Sequence, residues 1–245
     1  VNRQAQAAVL FLLGVAVLHA GFTDLYLRYV KAGLRPLLLA AGVVLIGTAV
    51  ATVWYELRHQ RHGHEHGDEH GDGHGHREPR VSWLLVLPLF ALILVAPPAL
   101  GSYSAMHTGT ALQRPPWGFP TLPARDPLSL NVADYAGRAV YDHGRSLRDR
   151  NVRITGFVAL DRRGAPYLVR MALNCCAADA QPVKVGLSGR TPPVLRPDTW
   201  LEVTGTYTGK RTKDPVGGGV IPYIDVSRAT PVPAPRDPYD ESWNG

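Results

Sequence analysis

Cysteine is almost missing from this sequence: 245 residues contain two, and they are neighbours, Cys175 and Cys176. Adjacent cysteines can close only a strained ring, so a disulfide-stapled scaffold is excluded. The short motifs of common enzymes are missing too. There is no nucleophile elbow, no H-E-x-x-H and no phosphate-cradling glycine loop. "DPVGGGVIP" is glycine-rich, but it follows the wrong elements for a nucleotide site.

Charge is absent from three stretches. Residues 4–23, 36–55 and 81–100 each run for 20 residues without Asp, Glu, Lys or Arg. As helices rising about 1.5 Å per residue, each would span roughly 30 Å, the thickness of a bilayer's hydrocarbon core. Trp54, Tyr55 and Trp83 sit at window ends, where amphipathic aromatics favour the headgroup layer. Pro88 predicts a kink in the third window and Pro97-Pro98 a stop. A single Arg3 precedes the first window and no small-x-small site ends it, so it reads as an anchor and not as a cleaved signal. His19 and Asp24 lie near its end, which makes His19 the one ionisable candidate at membrane depth.

The expected architecture is a membrane protein with three N-terminal transmembrane α-helices, followed by a small all-β domain with one short helix. Residues 1–58 carry two spans, 59–80 a loop rich in His, Gly and Asp, and 81–101 the third span. Residues 102–128 read as a Pro-rich linker, 129–230 as the β-domain and 231–245 as a Pro-rich disordered tail. Arg3, Arg58, Arg61, Arg77 and Arg80 would lie on one face, against Arg28, Lys31 and Arg35 on the other. That bias favours a cytoplasmic histidine loop and an extracytoplasmic C-terminal domain in a plasma membrane. The net charge of +6 does not imply nucleic acid. Residues 101–245 hold 18 Lys plus Arg against 13 Asp plus Glu, spread without a basic stripe.

Within the C-terminal region, "LSLNVADYAGRAVYD" predicts the short helix. Residues 152–160, 167–173, 183–187, 200–209 and 223–227 read as strands separated by turn signals. Five strands of this length suggest an OB-like five-stranded barrel, with Gly156 and Gly205 where coiled strands bend.

Two clusters could carry chemistry. His62, His64, His66, His70, His74 and His76 interleave with Asp68 and Asp72 and with five glycines between residues 62 and 76. Imidazole and carboxylate suit Zn²⁺ and other divalent transition metals, and binding would fade as pH falls through about 6.5. A solvated linker is the alternative. The second cluster is "NCCAADA": Cys175 and Cys176, helped by Asp179, could ligate a soft ion, form a redox pair, or simply pack on a strand. Those three readings stay open.

The order of windows, "GFTDLYLRYV", the histidine loop, "RMALNCCAADAQPVKV" and "WLEVTGTY" together resemble the YcgQ-like family of bacterial membrane proteins. The resemblance implies an accessory subunit of a two-component permease, paired with a separate polytopic permease in the bilayer, and no catalytic role. It adds weight to Cys175, Cys176 and Asp179, which lie in its most specific segment, without saying what they do. A membrane-tethered thiol redox protein and a structural protein-binding anchor are the alternatives.

Overall fold

The computed structural model describes residues 3–62, 98–115 and 117–241, together with Leu87, Phe90, Ala91, Leu94 and Val95. The chain divides into two compact units: Val1–Tyr26 with Ala32–Pro98, and Leu27–Lys31 with Ala99–Gly245.

The first unit contains two helices, α1 (Arg3–Phe22) and α2 (Arg35–His62). Small residues let them approach closely. A Cβ on Gly14 would lie 2.6 Å from the Ile46 side chain, and one on Gly42 would lie 2.8 Å from Leu18. Contacts of this kind bring helix backbones together without any hydrophobic drive from water. Around this seam the surface is apolar, with Phe11, Leu37, Val43, Val44, Val50 and Trp54 exposed. Both helices are long and apolar enough to cross a membrane. Of the third window only the five residues named above are described: Leu87, Phe90, Ala91 and Leu94 are helical, and Val95 N–H bonds Ala91 C=O at 2.9 Å. The rest of that expected span lies outside the described residues.

The second unit is a β-barrel. Its strands are β1 (Leu128–Ser129), β2 (Val152–Leu160), β3 (Pro166–Leu173), β4 (Gln181–Gly189), β5 (Trp200–Lys213), β6 (Val220–Pro231) and β7 (Tyr239–Glu241). Five of them form a closed ring in the order β2–β3–β4–β6–β5 and back to β2. All ring pairings are antiparallel except β4 with β6, where Gly186 pairs Tyr223 and Gly189 pairs Val226. This is the OB-like connectivity expected from the sequence. The remaining two strands lengthen the sheet. β1 adds parallel to the start of β2, and β7 adds parallel to the end of β3.

Alternation along β2, β4, β5 and β6 sends Val152, Ile154, Val183, Val185, Leu201, Val203, Ile224 and Val226 into the barrel. Helix α4 (Val132–Tyr141) contributes Val132, Tyr135, Ala136 and Ala139 to the same core. Its N-terminus is capped by Asn131, whose side chain accepts from Asp134 N–H at 2.6 Å. β3 does not alternate, because both of its faces are covered. Val169, Met171 and Leu173 form a second cluster with Phe157, Tyr239 and Ala105 of the short helix α3 (Ser102–His107).

Two glycines answer to close approach of backbone. A Cβ on Gly156 would lie 2.7 Å from Val169 O, one residue before β2 begins to pair with β3. Gly205 sits at a register shift in the β5–β6 ladder, against the backbone of Asp225.

Two expectations need correcting. Residues 102–128 are not a free linker. Ser102 donates N–H and Oγ–H to Asp198 at 2.6 and 2.9 Å, and Thr110 N–H bonds Asp214 at 2.8 Å. Nor is the described part of the expected tail, residues 231–241, free, since Tyr239 and Asp240 are buried in β7. Asp240 takes Arg170 Nε at 2.9 Å and Val132 N–H at 3.1 Å, tying that strand to the start of α4. Proline-rich composition gave no sign of these docking contacts because they are made by isolated polar residues.

The most enclosed ion pair joins Lys184 Nζ to Asp214 at 2.7 Å, with side-chain exposures of 1% and 0%. Burial works to raise the Asp214 carboxyl, but the Lys184 ammonium and the N–H groups of Val216 and Thr110 outweigh it and hold it below the usual carboxylate range. Its stabilising contribution is therefore present above about pH 3.9 and lost as pH falls through the lower native value. Asp214→Asn should lower the stability of the barrel by about 3–5 kcal/mol, because it strands a buried ammonium. Adding Lys184→Met to Asp214→Asn should recover much of that loss, because it removes the stranded ammonium. Thermal unfolding of the full chain followed by near-ultraviolet circular dichroism checks both; equal losses in single and double variants would refute the pairing.

Candidate metal centre

Seven residues, 174–180, join β3 to β4, and they are short of regular structure. Their one helical turn, Ala177–Asp179, is a single 3₁₀ turn in which Asp179 N–H bonds Cys176 C=O at 3.1 Å. That turn folds the Asp179 carboxylate back over the start of the loop. It accepts Asn174 N–H at 3.1 Å and Cys175 N–H at 2.9 Å.

The loop is held from its other side by residues 29–31. Ala177 N–H bonds Tyr29 C=O at 2.7 Å, Lys31 N–H bonds Cys175 C=O at 3.1 Å, and Val30 pairs antiparallel with Cys176. Tyr239 reinforces the arrangement: its hydroxyl donates to Arg28 C=O at 2.9 Å and accepts Leu100 N–H at 3.1 Å. The backbone carrying the two thiols is thus fixed before any ligand arrives.

Cys175 is exposed and Cys176 half-buried, and both are free thiols. Their sulfurs are 3.6 Å apart, far beyond the roughly 2.05 Å of a disulfide. Two sulfurs bound at about 2.3 Å to one tetrahedral ion would stand about 3.8 Å apart. One ligand atom from each of Cys175, Cys176 and Asp179 fits within a mutual distance of 4.8 Å. The donor set, two sulfurs and one carboxylate oxygen, suits Zn²⁺ or a softer ion and leaves a position open to solvent.

The electrostatics hold Cys175 as a protonated thiol, which either metal ligation or redox attack would have to deprotonate. The Asp179 carboxylate accepting the Cys175 thiol proton, then the neighbouring Cys176, push the Cys175 thiol up to about 12. Reactive cysteines have the opposite shift, toward a stable thiolate. Partial burial works to raise Asp179, but the Cys175 thiol and the N–H groups of Cys175, Asn174 and Cys176 outweigh it and keep it ionised. A cation replacing the thiol proton would satisfy all three groups.

Among the described residues expected to carry chemistry, only this trio is brought together. His64, His66, Asp68, His70, Asp72, His74 and His76 lie outside the described residues, and His62 is described only as the last backbone position of α2. His19 is exposed in the last turn of α1, where its carbonyl accepts the Thr23 hydroxyl at 2.8 Å. Sequence reading missed Tyr29, Val30, Lys31 and Tyr239. The first three act through backbone groups, which leave no signature in residue type.

Removing the acceptor tests the thiol's environment. In Asp179→Asn, the Cys175 pKa should fall toward the ordinary range near 8.5, so its alkylation by iodoacetamide at pH 8 should speed up by roughly a hundredfold or more. Peptide mapping of the full chain reads this site separately from Cys176, and an unchanged or slower rate would refute the assigned hydrogen bond.

No curated protein and no solved structure matches the chain. Residues 121–240, which hold the whole barrel ring, α4 and the Cys175-Cys176 loop, match the family model described as the DUF1980 C-terminal domain, and that family is uncharacterised.

Proposed function

We propose that the chain is an integral membrane accessory subunit of a two-component permease of the YcgQ-like kind, in which Cys175, Cys176 and Asp179 hold a thiophilic divalent ion, Zn²⁺ foremost. The observation that carries this reading is the convergence of two sulfurs and a carboxylate within 4.8 Å on a loop whose backbone is already fixed. A preorganised site loses little entropy on binding, so three protein ligands suffice for useful affinity. The position left open is where an ion could be received or passed on.

The fixing partner of that loop is the segment that joins α1 to α2. With both helices spanning a bilayer, residues 27–31 and the barrel would share one face of the membrane. A third span after the histidine loop gives the same answer by counting. The loop from residue 59 to 80 would then lie on the opposite face, so the imidazoles and the thiols would serve as separate sites. The histidines would gather or sense ions at one surface, and the thiol site would act at the other. Three spans of this composition do not form a translocation path by themselves, which is why a polytopic partner belongs to the proposal.

Titration of the full chain in lipid nanodiscs with Co²⁺ separates the two sites, because only thiolate ligands give an intense sulfur-to-metal charge-transfer band. Wild type and a variant lacking residues 59–76 should both show the band, and Cys176→Ser should lose it. A band absent from wild type would remove the metal from this account. Because ligation displaces a proton from each of the two thiols, apparent affinity should fall about a hundredfold for each pH unit below neutrality, or about 2.7 kcal/mol. A flat pH profile would show that the thiol is not a ligand. Recovery of the chain from native membranes without any polytopic partner would overturn the permease assignment.

A further inference from the structure

We propose that the pocket between helix α4 and the chain that precedes it, lined there by Arg114, Pro115 and residues 118–122, binds a phosphate-bearing anion. The pocket has a volume of about 610 Å³ and is lined by four arginines, Arg114, Arg138, Arg145 and Arg150, which come from four separate places in the chain. Its single lining carboxylate, Asp142, is already occupied by Ser146 N–H at 2.8 Å and Arg145 Nε at 3.1 Å.

Arg138 forms the floor, with a side chain 2% exposed. Its Nε bonds Asp134 at 2.9 Å, its Nη2 bonds Pro120 C=O at 2.9 Å, and the guanidinium lies 5.0 Å from the centre of the Phe119 ring. The Nη1 contact to Ser146 Oγ, at 3.4 Å, is long for a hydrogen bond. A guanidinium has five N–H groups, so donors remain for a ligand. Arg150 is oriented by the carbonyls of Pro123 and Arg125 at 2.8 and 2.7 Å, neutral acceptors that fix its direction without cancelling its charge. Among the described residues neither Arg114 nor Arg150 has a carboxylate partner.

Arg138 and Arg145 are paired with Asp134 and Asp142, so Arg114 and Arg150 supply the positive charge in excess, on planar forks that match phosphate oxygens two at a time. The volume is far larger than inorganic phosphate needs and falls in the range of small-molecule sites. The phosphate is therefore the headgroup of a larger molecule, either a soluble phosphomonoester or an anionic lipid. The site does not depend on the thiol centre, and its test does not involve a metal.

Hydrogen–deuterium exchange on the full chain in phosphatidylcholine nanodiscs, with and without glycerol 1-phosphate, tests it at low salt. Segments 114–122 and 138–150 should gain protection, and Arg114→Gln and Arg145→Gln should each raise the required concentration about tenfold. Both side chains are exposed, so these variants should fold normally. Protection of the same segments only when phosphatidylglycerol is added to the discs, with the same loss in both variants, supports the site with a lipid as its source. No protection in either arm, or protection that both variants retain in full, overturns the proposal.

Discussion

A short five-stranded sheet cannot bury its inner face unless it closes, and here closure depends on one parallel pairing, β4 against β6. Of the other ring contacts, all antiparallel, β2–β3, β3–β4 and β5–β6 join consecutive strands, while β2 also pairs with the more distant β5. The parallel pairing needs β4 to meet β6 across the intervening β5, and with β2–β5 it is one of the two ring contacts between strands not consecutive in the chain, where loop closure costs most. Its geometry restricts what can stand there. A side chain at Gly186 would collide with the Tyr223 ring, and one at Gly189 with the backbone of Val226. Once the ring is shut, α4 can seal it, with the Tyr135 hydroxyl donating to Tyr223 C=O at 2.8 Å on the closing strand.

Closure also explains where polar groups were put to use. The second face of β3, which a barrel alone would leave wet, is covered by α3 and β7. Each of these is held by charge-assisted bonds: Ser102 to Asp198 for α3, Arg170 to Asp240 for β7. Asp214 draws the chain after α3 inward through Thr110 and pairs with Lys184 on β4. A few buried ions therefore organise long stretches that have little periodicity of their own. The thiol loop sits at the end of β3 within this arrangement, which is why a segment as irregular as 174–180 has a defined shape.

Much of the barrel was legible in the sequence. Alternation in 152–160 and 200–206, with turn signals between, located β2 and the start of β5, and the five-strand count agrees with the ring. The ends of strands were less legible. β5 runs to Lys213 and β6 from Val220 to Pro231, well past their apolar cores, because a ladder between two long strands extends on backbone bonds alone. Nothing in residue type marks Arg170 and Lys184 as interior, and their buried carboxylate partners, Asp240 and Asp214, make them so. For the candidate site, Cys175, Cys176 and Asp179 were visible as residue types at close spacing. Their partners at 29–31 were not, since main-chain hydrogen bonding is available to every residue.

Sequence alone determined the apolar length of α1 and α2, the period-two pattern of the barrel strands and the possibility of a two-sulfur, one-carboxylate donor set. These follow from local chemistry: hydrophobic run length, alternation and residue type act within a few positions. Tertiary structure decided the closing of β4 on β6, the docking of the proline-rich segments and the joining of residue 30 to residue 176. Each of those depends on groups far apart in the chain whose pairing is favourable only after the barrel exists, because a buried ion or an edge N–H gains from its partner only once water has been excluded.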